Sequence, residues 1–187
     1  MKYKFIIGTL LVASATGIGI GLADDDDSFM KWSRNTWKEQ RLDVAPVQHD
    51  DYSNECGDCH FLYQPGLLPA RSWEAIMNTL DQHFGDNAEL EPETMLNIKQ
   101  YLINNAADKS NFKRSRQFSR TASDGEESKR ITQSPYFKRQ HDEVPMNIVR
   151  QKEIASLSQC DRCHTKAETG SFDENDIRIP GLGRWED

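Results

Sequence analysis

The chain has 187 residues, which is enough for one ordinary domain or for two small lobes. Only 36% of the residues are hydrophobic, so the protein by itself provides a lean core. The formal net charge of −7 argues against nucleic acid as a partner, because both molecules would be negatively charged.

The N-terminus has the pattern of a secretory signal peptide. Lys2 and Lys4 precede an apolar run, residues 5–22, which ends on small residues at Gly21 and Ala23. We therefore predict that residues 1–23 are a signal peptide cleaved after Ala23 and that the protein is exported to the periplasm. An uncleaved membrane anchor is the alternative, since about 18 apolar residues begin to span a bilayer. The glycines in the run make it less hydrophobic than a typical anchor.

Residues 24–108 are predicted to form an N-terminal lobe that contains the run Cys56-Gly57-Asp58-Cys59-His60. This run fits the C-x-x-C-H pattern of covalent c-type haem attachment. On a helical turn the two thiols lie close enough to form thioethers with one porphyrin, and the adjoining imidazole reaches the iron from the same side. Ser53 is the expected cap of a short helix that carries the motif.

Two further helices are predicted in the same lobe. The first is expected to start after Ser72 as N-cap and to stop at Gly85, with its apolar residues at helical spacing. The second is expected from Pro92, a favourable first-turn residue, to about Ala106.

Apolar periodicity disappears in residues 109–134, where serine, arginine and lysine dominate. We predict a basic linker here. Its cluster of positive charge could also serve as an electrostatic docking patch for an acidic molecule.

Residues 135–187 are predicted to form the C-terminal lobe, in which a helix carries the second C-x-x-C-H run, Cys160-Asp161-Arg162-Cys163-His164. The two runs together use all four cysteines, so we predict two covalent haems c, with His60 and His164 as proximal iron ligands. Two disulfides are the alternative in an oxidising compartment, but they leave the histidine after each second cysteine unexplained. A zinc site from two such knuckles is a further alternative, although the runs lie far apart in the sequence.

Each iron has a second axial position, for which the chain offers histidines and methionines. His83 is the best candidate in the first lobe, because it follows Leu80 and Ile76 at helical spacing and so shares their apolar face. His141 is the natural candidate in the second lobe, with Phe137 one turn earlier. Their alternatives are surface histidines in charged segments.

Methionine is the competing axial ligand, because a Met/His pair raises the reduction potential of a haem. Met77 and Met95 fit core positions on helices, and Met146 follows a proline in a loop. His49 lies beside two aspartates, which favours a solvated side chain.

The sequence as a whole resembles the bacterial dihaem cytochrome c family. The resembling residues are Glu55 to His60, Leu67 to Trp73, Ile76-Met77, His83 to Ala88, Tyr101-Leu102, Arg130-Ile131, Cys160 to His164 and Ile177 to Pro180. The resemblance implies a mainly α-helical protein with two small lobes, each packed around one haem. It also implies bis-histidine ligation with His83 and His141 as distal ligands, and partners such as another, oxygen-binding c-type cytochrome or a membrane cytochrome b.

An iron with two protein ligands has no open position for a substrate and passes single electrons. We therefore expect an electron carrier with no catalytic residues and no small-molecule substrate. Two alternatives remain at this point. A dihaem enzyme of the peroxidase type would need one open haem, and an electron-entry subunit would be bound to a larger periplasmic reductase.

Overall fold

Short helices are the main regular structure of the described residues. The computed structural model describes residues 42–122 and 129–185, so the predicted signal peptide lies outside the described residues. The α-helices within these two ranges are α1 (Asp50–Gly57), α2 (Ala70–Met77), α3 (Pro92–Asn104), α4 (Lys113–Thr121), α5 (Pro135–Gln140) and α6 (Met146–Val149). Two short strands, β1 (Arg178–Ile179) and β2 (Gly183–Arg184), pair antiparallel. The mainly α-helical class predicted from the sequence is confirmed.

The helix of the first motif is capped by a histidine. Nδ1 of His49 accepts a hydrogen bond of 3.2 Å from the backbone N–H of Tyr52, and two aspartates in the first turn complement the helix dipole. Ser53, the predicted cap, instead lies inside α1 and donates its hydroxyl to the carbonyl of His49 (2.9 Å). The helix ends at Gly57, so Cys59 and His60 follow it.

The next two helices pack against each other and form much of the first half of the core. α3 begins at Pro92 as predicted, and its buried Ile98 and Leu102 are four positions apart on one face. α2 differs from its prediction, because it begins after Pro69 and ends at Met77. A 3-10 turn follows it, and His83 lies beyond that turn instead of on the helix.

A helix occupies part of the segment that was predicted to be a linker. α4 buries Ser115 and Phe118 and packs against the turn Pro65–Leu67 and against α5. The approach to that turn is close: a Cβ on Gly66 would collide with the Ser115 hydroxyl. The linker prediction was wrong for residues 113–121, which form a helix although they have no apolar repeat. Burial of Phe118 and of the small Ser115 is enough to pack this helix against the core.

One buried cluster includes side chains from both predicted lobes. Its members include Tyr52, Leu67, Trp73, Ile98, Leu102, Phe118, Phe137 and Phe172. The N-terminal end of the described chain joins this cluster through Val44, which is fully buried, and the N–H groups of Asp43 and Val44 donate to the carbonyl of Gly170. Helices of both halves therefore share one protein core.

The second motif does not lie on an α-helix, contrary to the prediction. Cys160–Arg162 form a 3-10 turn, and the N–H of His164 donates to the carbonyl of Cys160 (2.9 Å). The first residue of β1 holds this turn in place, because the N–H of Arg178 donates to the carbonyl of Cys163 (2.8 Å). A small cluster of Ile148, Ile154 and Ile179 packs beneath it.

Candidate haem sites

The first motif brings His60 opposite His83. The two imidazole rings are 6.2 Å apart between centroids, and their planes differ by 23°. Nδ1 of His60 donates to the carbonyl of Phe61 (2.7 Å), since a carbonyl only accepts. Nε2 is then the nitrogen of His60 that remains available to a metal.

His83 is positioned by a tight turn. The N–H of Asp86 donates to the carbonyl of His83 (3.1 Å), and the turn requires a positive φ at both Phe84 (55°) and Gly85 (114°). A positive φ at a bulky residue such as phenylalanine is strained and is commonly found at functional sites. The Phe84 ring lies 4.8 Å from that of His83, and the guanidinium of Arg130 lies 4.1 Å above Phe84. The turn therefore aims His83 by its backbone and restrains it through Phe84.

The second motif brings His164 opposite His141. Their ring centroids are 6.1 Å apart, and the planes are inclined by 74°. His141 directly follows α5 and stacks on Phe137 at 3.9 Å, and its Nδ1 donates to the carbonyl of Phe137 (2.9 Å). The ring of Phe172 lies 5.4 Å from that of His164. Both imidazoles are thus oriented by aromatic neighbours.

A cavity of about 260 Å³ opens beside this second pair. Its lining includes both histidines, Cys160 and Cys163, together with the apolar side chains Leu67, Phe118, Ile131, Phe137, Ile154, Phe172, Ile177 and Ile179. A mostly apolar cavity with a few converging ligand groups is the usual setting of a cofactor.

The residues present fit a haem at each motif. A metal–imidazole bond in a protein is about 2.0–2.1 Å long, so two imidazoles on opposite sides of one metal ion would have centroids roughly 6 Å apart. Both histidine pairs have that separation. All four cysteines are free, with one pair next to each proximal histidine, and none forms a disulfide.

Burial keeps three of the four imidazoles in the form that binds a metal. It lowers the pKa of His83, His141 and His164, and that of His164 falls to about 4, with His141 as a further cause. These three side chains are therefore neutral at pH 7, as metal ligation requires.

Three of the cysteine thiols, those of Cys56, Cys160 and Cys163, are also neutral at pH 7. Burial raises the pKa of Cys56 to about 11 and that of Cys160 to about 12, and it raises the pKa of Cys163 as well. Acidic neighbours add to the effect, Glu55 beside Cys56 and Asp161 beside Cys160.

Arg114, a residue of the predicted linker, binds the segment of Phe172 next to the second histidine pair. Its Nε lies 3.2 Å from Oδ1 of Asp43, and its terminal nitrogens donate to the Tyr136 hydroxyl (3.1 Å) and to the carbonyl of Phe172 (2.7 Å). Sequence reasoning missed this role because nothing distinguishes Arg114 from the other arginines around it. Its placement opposite an acidic residue far along the chain is visible only in the structure.

The other candidate ligands are engaged elsewhere or lie apart. Nδ1 of His49 is used by the helix cap, and its ring packs on Tyr101 at 4.5 Å. Met77 is buried, Met95 packs against the core and Met146 is 52% exposed. Among the described residues, no three histidine, cysteine or acidic side chains form a cluster that could hold a metal ion, so the two cysteine pairs do not make one zinc site.

Comparison with known proteins places these sites in context. The model of the dihaem cytochrome c family matches residues 52–172. A diheme cytochrome type c from Shewanella baltica is 39% identical, with 73% of this chain and 96% of that chain covered and a TM-score of 0.60. Diheme cytochrome c from Rhodobacter sphaeroides is also 39% identical, with 69% and 100% covered and a TM-score of 0.62. A search of curated protein sequences gives no match.

Proposed function

The chain belongs to the dihaem cytochrome c family, and we propose that it is a periplasmic electron carrier in which both c-type haems are six-coordinate. His60 and His83 would be the axial ligands of one iron, and His164 and His141 those of the other. The observation that carries the proposal is the separation of 6.2 Å and 6.1 Å between the facing rings of the two pairs.

The side chains of each site have separate tasks in this proposal. Cys56 and Cys59 hold one haem by thioether bonds, and Cys160 and Cys163 hold the other. Each haem, when bound, supplies one iron that alternates between the ferric and ferrous states. The facing histidines keep both axial positions filled, so that a small molecule has no place to bind and the ligands change little between the two states.

Bis-histidine ligation places a haem toward the lower part of the potential range, because a methionine ligand would raise the potential. Nδ1 of His60 and Nδ1 of His141 each donate a hydrogen bond to a backbone carbonyl. These hydrogen bonds also lower the reduction potential, because they make the imidazole a stronger electron donor to the metal.

Carbon monoxide tests the proposal directly. We expect the absorption spectrum of the reduced protein at neutral pH to be that of low-spin haem and to stay unchanged when carbon monoxide is added. A spectral change at either haem would mean an open axial position, and it would favour a peroxidase-like enzyme for that haem. The ligand set proposed for that haem would then be wrong.

The location and the partners are part of the same proposal. The charged and apolar pattern of residues 1–23 supports export, and every helix in the described ranges is too short or too polar to cross a membrane. We expect the mass of the purified periplasmic protein to correspond to cleavage after Ala23. The proposed partners are another c-type cytochrome or a membrane cytochrome, and co-purification with a large reductase would instead indicate a subunit role.

A further inference from the structure

Tyr63 lies between the two candidate haem sites. It follows His60 by three residues, and its ring centroid is 5.2 Å from that of His60. Its hydroxyl donates a hydrogen bond of 2.9 Å to the carbonyl of Ser158, which is distant in the sequence. One half-buried side chain thus touches a proximal histidine at one end and the segment of the second motif at the other.

The hydroxyl of Tyr63 lies next to the second haem-attachment motif. The carbonyl of Ser158 also accepts from Sγ of Cys160 (3.8 Å), so the Tyr63 hydroxyl and the Cys160 thiol share one acceptor. The Ser158 backbone is held in turn, because its N–H donates to the hydroxyl of Ser156 (3.2 Å).

The part of Tyr63 next to His60 is also held in place. The carbonyl of Tyr63 accepts a hydrogen bond of 2.8 Å from the hydroxyl of Tyr52, a residue that is 2% exposed. The ring of Phe61 packs edge-on against that of Tyr63 at 5.4 Å. A side chain held at both ends keeps its contact distances constant.

We propose that Tyr63 couples the two haems electronically by linking the His60 ligand to the backbone next to Cys160. The inference rests on the function proposed above. A single electron passes from one iron to the other, so one iron is oxidised as the other is reduced. No covalent bond forms or breaks, and the phenol keeps its proton.

The physical reason is the nature of the path. Electron tunnelling decays more steeply across an empty gap than along covalent bonds and hydrogen bonds. The path through Tyr63 consists of one ring contact, the bonds of the side chain and one hydrogen bond. Gln64 makes a second hydrogen-bonded link between the same parts of the chain, since its Nε2 donates to the carbonyl of Ala167 (2.6 Å), but the described contacts of its side chain are with backbone carbonyls and not with a histidine ring.

That difference makes Gln64 the matched control. Tyr63→Phe keeps the ring and removes the hydrogen bond, whereas Tyr63→Leu removes both. Gln64→Met removes a buried hydrogen bond of the other link and lowers the stability of the protein. A merely structural Tyr63 would behave like Gln64.

The exchange of one electron between the haems is measured on the haem-loaded protein by NMR. In a half-reduced sample, fast exchange gives each haem methyl group one averaged signal, and slow exchange gives it two signals, one for each location of the electron. We expect Tyr63→Leu to slow the exchange by roughly tenfold, which equals about 1.4 kcal/mol as an activation free energy. We expect Tyr63→Phe to slow it a few-fold and Gln64→Met to leave it unchanged.

The two reduction potentials, measured by titration, are expected to remain unchanged in the Tyr63 variants. An unchanged exchange rate in Tyr63→Phe overturns the proposal, and this variant decides the matter if Tyr63→Leu fails to fold. Equal slowing in Gln64→Met also overturns it. Failure of the proposed function is recognised separately, because carbon monoxide would then change the spectrum of the unaltered protein.

Discussion

The imidazole rings of His60 and His83 lie nearly parallel, with 23° between their planes and 6.2 Å between their centroids. The rings of His141 and His164 have almost the same separation, 6.1 Å, but an angle of 74°. The local cause is visible in the second pair, where His141 is held flat against Phe137 at 13°. The two sites thus have the same ligand types and different ligand orientations.

We expect this difference to appear in the electron paramagnetic resonance spectrum of the oxidised protein. Parallel imidazole planes separate the energies of two iron d orbitals, whereas perpendicular planes leave them nearly equal. The first haem should therefore give an ordinary rhombic low-spin signal and the second a highly anisotropic one. His141→Ala should remove only the anisotropic signal, and two identical rhombic signals in the unaltered protein would contradict the prediction.

We expect His83→Ala to produce one high-spin haem that binds carbon monoxide. The substitution removes the ring that faces His60, and the methionines of the described chain are buried, packed against the core or exposed elsewhere. Absorption spectra of the reduced variant with and without carbon monoxide measure the effect. Retention of a fully low-spin spectrum would mean that His83 is not a ligand.

His49→Ala provides the control for that experiment. His49 belongs to the same half of the protein, but its Nδ1 caps α1. Loss of a helix N-cap costs about 0.5–2 kcal/mol of stability. We expect this variant to unfold at lower denaturant concentration while its haem spectrum stays low-spin, so a high-spin haem here would contradict the assigned cap role.

Arg114→Gln should destabilise the protein by about 2 kcal/mol. Arg114 and Asp43 form a largely buried ion pair, and removing one partner of a fully buried pair costs about 3–5 kcal/mol; the partial exposure of these side chains reduces that figure. Denaturant unfolding measures the loss. Arg116→Gln, an exposed position on the same helix, is the control and should change stability by less than about 0.5 kcal/mol.

Arg114→Gln should also lower the reduction potential of the second haem. Arg114 donates to the carbonyl of Phe172, whose ring lies 5.4 Å from that of His164, so its positive charge lies close to the second site. A positive charge disfavours the ferric state, so its loss stabilises that state. Redox titration measures the shift, and a higher potential in Arg114→Gln would contradict the argument.

Phe118→Ala should cost about 3–5 kcal/mol, the usual range for truncating a buried phenylalanine. Phe118 is 6% exposed and packs edge-on against Tyr136 at 5.0 Å. If residues 113–121 were a solvated linker, the substitution would be nearly neutral. Lys113→Ala, at an exposed position of α4, should have little effect and serves as the comparison in the same unfolding experiment.

The elements that sequence reasoning located well are those with a local signal. The start of α3 follows from Pro92 and from apolar residues at helical spacing. α4 has no such signal, because its stability depends on Phe118 and Ser115 meeting partners from distant parts of the chain. The helical spacing of Ile76, Leu80 and His83 predicts a helix that includes His83, whereas α2 ends at Met77 and a 3-10 turn follows.

The sequence by itself determined that two haems are attached, because the thiols and the adjoining histidine of each site come from five consecutive residues. Their chemistry needs no information about the rest of the fold. Only the tertiary structure decided which histidine faces which, at what angle, and that Arg114 and Tyr63 lie beside these pairs. Those relationships join residues far apart in the chain, and packing of distant segments cannot be read from local spacing.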